Sequence, residues 1–187
     1  MMNKLFVAIA ALFLGQAPLT ADAAAISTDT YYSLGFEGVG SNIIGTASGG
    51  FTHCTNPSCV ASPAGSSFEF TLASAGVLTI LDLFISFDEF DIYNFGSLLG
   101  STTASTRGGD CGSDFTCALA DTRYSRGVFN LAAGSYSISG IQTAGTSGAG
   151  ALIVETSPVP VPAAGVMLLS VLLGGGFAAR RRRKNLA

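Results

Sequence analysis

The sequence predicts an all-β protein: a single β-sandwich ectodomain, jelly-roll-like, flanked by an N-terminal signal peptide and a C-terminal transmembrane helix. Three observations predict it. Between Ala24 and Ser157 the chain carries 19 Gly, three Arg and no Lys, with Ser and Thr at the polar positions. That composition is poor in helix formers and suits strands joined by tight turns. No long 3.6-residue apolar period runs through the stretch, and eight short strand-like segments do. The 187 residues suffice for one core of ordinary size, roughly 100–150 residues, so a two-domain enzyme is not expected.

The expected strands are Tyr31 to Phe36, Ser67 to Leu72, Val77 to Leu81, Glu89 to Tyr93, Leu98 to Thr102, Tyr124 to Leu131, Gly134 to Ile141 and Ala149 to Thr156, separated by Gly-rich or Asn-containing turns. The sharpest local signal is Phe90-Asp-Ile-Tyr-Asn94-Phe-Gly96-Ser-Leu-Leu99. There Asn94 and Gly96 supply the turn of a hairpin between two apolar-bearing arms.

Three segments organise the chain: residues 1–23 as signal peptide, 24–157 as exported domain and 158–187 as a C-terminal signal. Lys4 precedes the ten-residue apolar run Leu5 to Leu14, too short for the roughly 20 residues that cross a bilayer as a helix. Gly15, Pro18 and Thr20 then break it. Ala21-Asp22-Ala23 has the small-x-small pattern accepted by signal peptidase, so cleavage is expected after Ala23, with Ala25 as second choice. No Cys stands at either position to direct lipoprotein processing.

From Ala163 to Ala179 the chain holds 17 residues without a charge, at the short end of the roughly 17–25 that span a bilayer. Arg180, Arg181, Arg182, Arg183 and Lys184 follow at once. Such a cluster stays on the cytoplasmic side, leaving the domain outside and the inner membrane as its first lodging. Before the apolar run, Pro158-Val159-Pro160-Val161-Pro162 is stiff and extended, because each Pro lacks an N–H and biases its predecessor away from helix. Gly165 and Gly174 to Gly176 weaken the helix itself.

The order Val159-Pro160-Val161-Pro162-Ala-Ala, apolar helix, basic cluster at the extreme C-terminus resembles the PEP-CTERM sorting signal of Gram-negative bacteria. Val161 stands where that family's Pro-Glu-Pro has Glu. The resemblance covers Val159 to about Lys184 and implies processing by an exosortase-type membrane enzyme. Phe70 to Ser101, together with Gly134 to Ile138 and Gly148 to Glu155, is similar to the ectodomains of small PEP-CTERM proteins, which implies a β-sandwich and no particular activity. A simple single-span anchor is the plainer reading of the same tail.

Four Cys lie in two local pairs, Cys54/Cys59 and Cys111/Cys117. An even count in an exported chain reads as disulfides. Three connectivities are possible. The local pairing 54–59 and 111–117 is favoured because Pro57 and Gly112 let short loops fold back, and it would staple loops rather than the core. Zinc is the rival, since His53 adjoins Cys54, but the spacings do not match zinc ribbons. A catalytic Cys would have only His53 as partner imidazole, and neighbouring residues in an extended chain point apart.

The exported stretch from Ser27 to Ser157 holds three Arg against eleven acids. Its densest acidic stretch is Asp82, Asp88, Glu89 and Asp91, of which Asp88, Glu89 and Asp91 are weak calcium candidates; the interleaved Phe84, Phe87 and Phe90 favour ordinary strand alternation instead. Arg107, Arg123 and Arg126 are too few for a nucleic-acid groove. Nucleophile motifs, phosphate loops and HExxH are missing, so no catalytic residue, metal or cofactor is expected. The expectation is a non-enzymatic surface or matrix protein, associated with exopolysaccharide or biofilm, with signal peptidase and an exosortase-type enzyme as partners. Alternatives are a calcium-dependent adhesion module or a periplasm-facing enzyme on a simple anchor.

Overall fold

The computed structural model describes residues 23–48 and 54–157. Residues 1–22 of the expected signal peptide, His53, the sorting motif Val159 to Pro162, the transmembrane stretch and the basic tail lie outside the described residues; Ala23, at the expected cleavage site, is described and opens β1. The fold is all-β. In chain order its elements are β1 (Ala23–Ala25), β2 (Tyr31–Phe36), β3 (Ile44–Gly45), β4 (Val60–Ala61), β5 (Ser67–Leu72), β6 (Gly76–Asp82), β7 (Phe84–Ile85), β8 (Glu89–Asn94), β9 (Ser97–Ser101), β10 (Asp110–Gly112), helix α1 (Phe115–Ala120), β11 (Arg126–Leu131), β12 (Gly134–Ala144) and β13 (Gly148–Thr156). No helix among the described residues is long and apolar enough to cross a membrane.

Two sheets carry the fold. The first runs β1-β5-β12-β8-β9, and the second runs β11-β6-β13-β2-β3, with β4 also on β2. Pairing is antiparallel except for β1 on β5 and β4 on β2. The register follows from side-chain alternation, which fixes the face each residue presents. In β5, Phe68, Phe70 and Leu72 are buried while Glu69 and Thr71 are exposed. In β8, Phe90 and Ile92 point the same way. These meet Leu34 and Phe36 of β2, Leu78 and Ile80 of β6 and Leu152 and Val154 of β13 in one buried cluster drawn from both sheets.

The second sheet is buried on its other face as well. Leu81, Ala151 and Ile153, at the alternate positions of β6 and β13, join Phe115, Ala118, Tyr124 and Cys54 in a second cluster. Its cover is α1 together with the loops closed by Cys54–Cys59 and Cys111–Cys117, both present as disulfides. Asp114 caps the helix by accepting the Cys117 N–H at 2.8 Å. The Phe115 ring meets Tyr31 edge-on at 4.9 Å between centroids. The two loops also hold each other: Thr55 N–H donates to Ser113 O at 2.8 Å, and Phe115 N–H to Thr55 O at 3.0 Å. The local pairing expected from sequence is therefore present, but with a different consequence. The disulfides staple the layer that closes a core, and Cys54 is itself part of that core.

The eight expected strands all form, with small boundary shifts. The last but two begins at Arg126 rather than Tyr124, because Tyr124 N–H closes a turn onto Asp121 O and its side chain enters the second core. In the β8–β9 hairpin Asn94 pairs with Ser97. The two-residue turn is therefore Phe95-Gly96, with φ of 47° and 76°, the mirror-image turn that matches strand twist. Asn94 ends the strand instead, its side-chain oxygen accepting the Ser137 N–H at 3.1 Å.

Truncating Phe115 to Ala is expected to cost about 3–5 kcal/mol, the range for deleting a buried Phe, because it empties the second core. Urea unfolding of Phe115→Ala and of the exposed control Val128→Ala measures it; equal, small effects would mean the helix layer contributes little.

Candidate functional site

Strand β6 ends at Asp82, and the chain then folds back through residues 83–88 before β8 begins. Within this turn Phe84 and Phe87 adopt φ of 64° and 134°, a region that non-glycine residues rarely occupy. Such strain persists only where surrounding contacts impose it. Two sets of contacts do so. Strand β7 pairs with β10, and the Tyr124 hydroxyl donates to Phe84 O while accepting the Cys111 N–H, both at 2.6 Å. On the inner side, Asp82 Oδ2 accepts the N–H groups of Phe87 and Asp88 at 3.2 Å each.

Beside this turn lies a cavity of about 380 Å³, lined by Leu83 through Asp88, Arg107 and residues 146–149. Ile85, 69% exposed, stands at its rim. The Arg107 guanidinium sits 4.1 Å from the centre of the Phe87 ring, a cation–π pair of about 0.5–1 kcal/mol at an exposed site. Asp88 forms part of the wall. Its Oδ1 accepts from Gln142 Nε2 at 2.8 Å and from Thr146 N–H at 2.7 Å. The loop that brings Thr146 close needs Gly145: at φ 97° a Cβ there would collide with the Asp88 carboxylate. Ser125 Oγ donates to the Asp88 carbonyl.

Asp82 is fully buried, and its Oδ1 has no hydrogen-bond partner among the described residues. Burial, then the neighbouring Asp88 charge, pushes its carboxyl up to about 8 against the opposing pull of backbone N–H groups. Asp88 is also raised by burial, with the Thr146 N–H, Gln142, Asp82 and lastly Arg107 acting the other way. Chemically, the arrangement is a pair of buried carboxylates that must hold a positive charge, whether proton or cation.

The three calcium candidates from sequence do not converge. Asp88 faces the cavity, whereas Glu89 Oε1 is taken by Ser105 N–H at 2.7 Å and Ser105 Oγ at 3.0 Å, and Asp91 by Ser101 Oγ at 2.5 Å. Neighbours in an extended chain point apart, which separates Asp88 from Glu89. No group of three or more His, Cys, Asp or Glu clusters among the described residues. The partner of Asp88 is Asp82, six residues earlier, brought back by the turn. With all four Cys oxidised, the zinc alternative has no thiolates to offer. Of the three Arg among the described residues, Arg123 is bridged to Asp121, Arg126 donates to Leu119 O at the end of α1, and Arg107 is the one that lines the cavity.

The carboxylate pair sets a pH dependence. With divalent cations chelated, unfolding free energy should fall as pH rises from about 4 to about 8, because the native state keeps a proton that the unfolded chain has released; the slope is at most about 1.4 kcal/mol per pH unit. Above about 8 both states have lost it and the curve levels. Asp29 and Asp121, held low by hydrogen bonds, act with opposite sign and only on the acid side of this window. Urea unfolding across pH 4–9 in chelator should show this fall in the native chain and a much flatter profile in Asp82→Asn.

Comparison with protein-family models, with curated proteins and with solved structures returns no match.

Proposed function

We propose that the chain is an exported, non-enzymatic surface or matrix protein: signal peptide at 1–23, a jelly-roll-like sandwich at 24–157 and a PEP-CTERM-like sorting signal at 158–187. The single observation that carries export is the pair of disulfides closed within one structural layer, since such bonds persist in oxidising compartments and are rare in the cytosol. The jelly-roll reading rests on the strand orders β5-β12-β8-β9 and β11-β6-β13-β2, in which the chain passes repeatedly from one sheet to the other.

The layout suits a protein tethered through its C-terminal segment. The described chain leaves at Ser157, whose N–H bonds to Ala75 O, beside Asp29, which accepts from Thr156. The cavity lies at the other end of β13, beside Gly148. Nine strand residues separate the two ends, a span of roughly 27 Å. Tethering at residue 158 would therefore leave the cavity end, with Ile85, Phe87 and Arg107, free to meet matrix polymer. That end is our candidate for exopolysaccharide contact.

Intact-mass measurement on protein from envelope and medium, in cells with and without an exosortase-type enzyme, tests the sorting reading. The secreted form is expected to begin at Ala24 or Ile26 and to lack Val166 to Ala187. A full-length C-terminus in both strains would leave only a simple membrane anchor.

A further inference from the structure

We propose that Asp82 and Asp88 form the carboxylate pair of a divalent-cation site of the calcium class, with Asp88 on the cavity wall and Asp82 buried behind it. Both side chains already accept hydrogen bonds on one oxygen, which leaves the other oxygen of each for a cation that displaces the proton. Asp82 Oδ2 receives two backbone N–H groups, and Asp88 Oδ1 receives the Gln142 amide and the Thr146 N–H. Four donors on two carboxyls stabilise the ionised form of each.

The remaining oxygens create the demand for a cation. Asp82 Oδ1 is buried without a partner among the described residues, and Asp88 is its close neighbour, donating its backbone N–H to Asp82 Oδ2 at 3.2 Å. Two neighbouring carboxyls this deeply buried require a positive charge, a proton or a cation, to be shared between them. Among the described residues no cation is bonded to the pair: Arg107 is the weakest of the influences on Asp88 and rests on the face of Phe87, while the other ionisable neighbour of Asp82 is the Tyr124 phenol. Hard oxygen donors select a hard cation, and calcium completes a shell of six to eight oxygens with carbonyls and waters. The cavity beside Asp88 gives those waters room. The pair also ties the strained turn 83–88 to the 145–148 loop, so a bound ion would fix the cavity walls. This site is independent of how the protein is exported or sorted.

Calorimetric titration of calcium chloride into the full-length, oxidised chain at pH 7.5, with thermal melts in calcium and in chelator, tests it. One ion per chain is expected, with Kd on the order of 10⁻⁴–10⁻³ M, as in extracellular modules, and a rise in Tm of several degrees at saturation. Asp82→Asn and Asp88→Asn should each weaken binding about ten-fold or more, while Glu89→Gln and Asp91→Asn leave it unchanged. The proposal is overturned if the native chain shows neither heat nor a melting shift at about 10 mM calcium, which would leave a shared proton as the occupant. Binding retained in both Asp82→Asn and Asp88→Asn would overturn it equally.

Discussion

Everything in this molecule depends on the double burial of its second sheet. Strands β6 and β13 lie at the centre of that sheet and turn apolar side chains to both faces, Ile80 and Leu152 to one core, Leu81 and Ile153 to the other. A strand buried on two sides needs two covers. The first sheet supplies one. The other is a six-residue helix and two short loops, too small a unit to hold a fixed shape by its own packing. Disulfides within those loops and hydrogen bonds between them make up the deficit. Burying Phe115, Tyr124 and Ala118 then stabilises both the layer and the sheet beneath it.

The site grows out of the same constraint. Where β6 leaves the sheet, its last residue, Asp82, remains in the interior, and the chain must reverse within six residues to start β8 in the first sheet. The carboxylate accepts two N–H groups of that reversal, which anchors it. Tyr124, part of the second core, holds it from outside through Phe84 O. The unusual backbone at Phe84 and Phe87 is thus imposed from both sides, and it brings their rings and Arg107 to a cavity at one end of the sandwich. Packing, strain and charge meet in a single turn.

Much of the fold was legible because its longer strands announce themselves by composition and turn residues. Tyr31 to Phe36 and Ser67 to Leu72 form as expected to the residue, and the other six strands shift by one to three positions. The short elements were not legible: β3, β4 and β7 have two residues each, too few to show a period. Helix α1 left a trace, Asp114 three residues before Cys117 as a cap, hidden inside a segment that reads as a cysteine loop. The second core also left one, since Val77 to Leu81 and Ala149 to Val154 are nearly continuous in apolar residues. At the site, sequence density singled out Asp88 but grouped it with its chain neighbours, whose side chains leave to serines on and beyond β9. Asp82 stands in the same acidic stretch but is not among the calcium candidates, because its approach to Asp88 depends on the reversal of the chain across residues 83–88.

Native-state amide hydrogen exchange, compared between the oxidised and fully reduced protein, tests most directly whether the stapled layer supports the second sheet. The account predicts that reduction speeds exchange across β2, β13 and β6 far more than across β5, β12 and β8, which face only the first core. Equal acceleration in both sheets, or none in either, would contradict it.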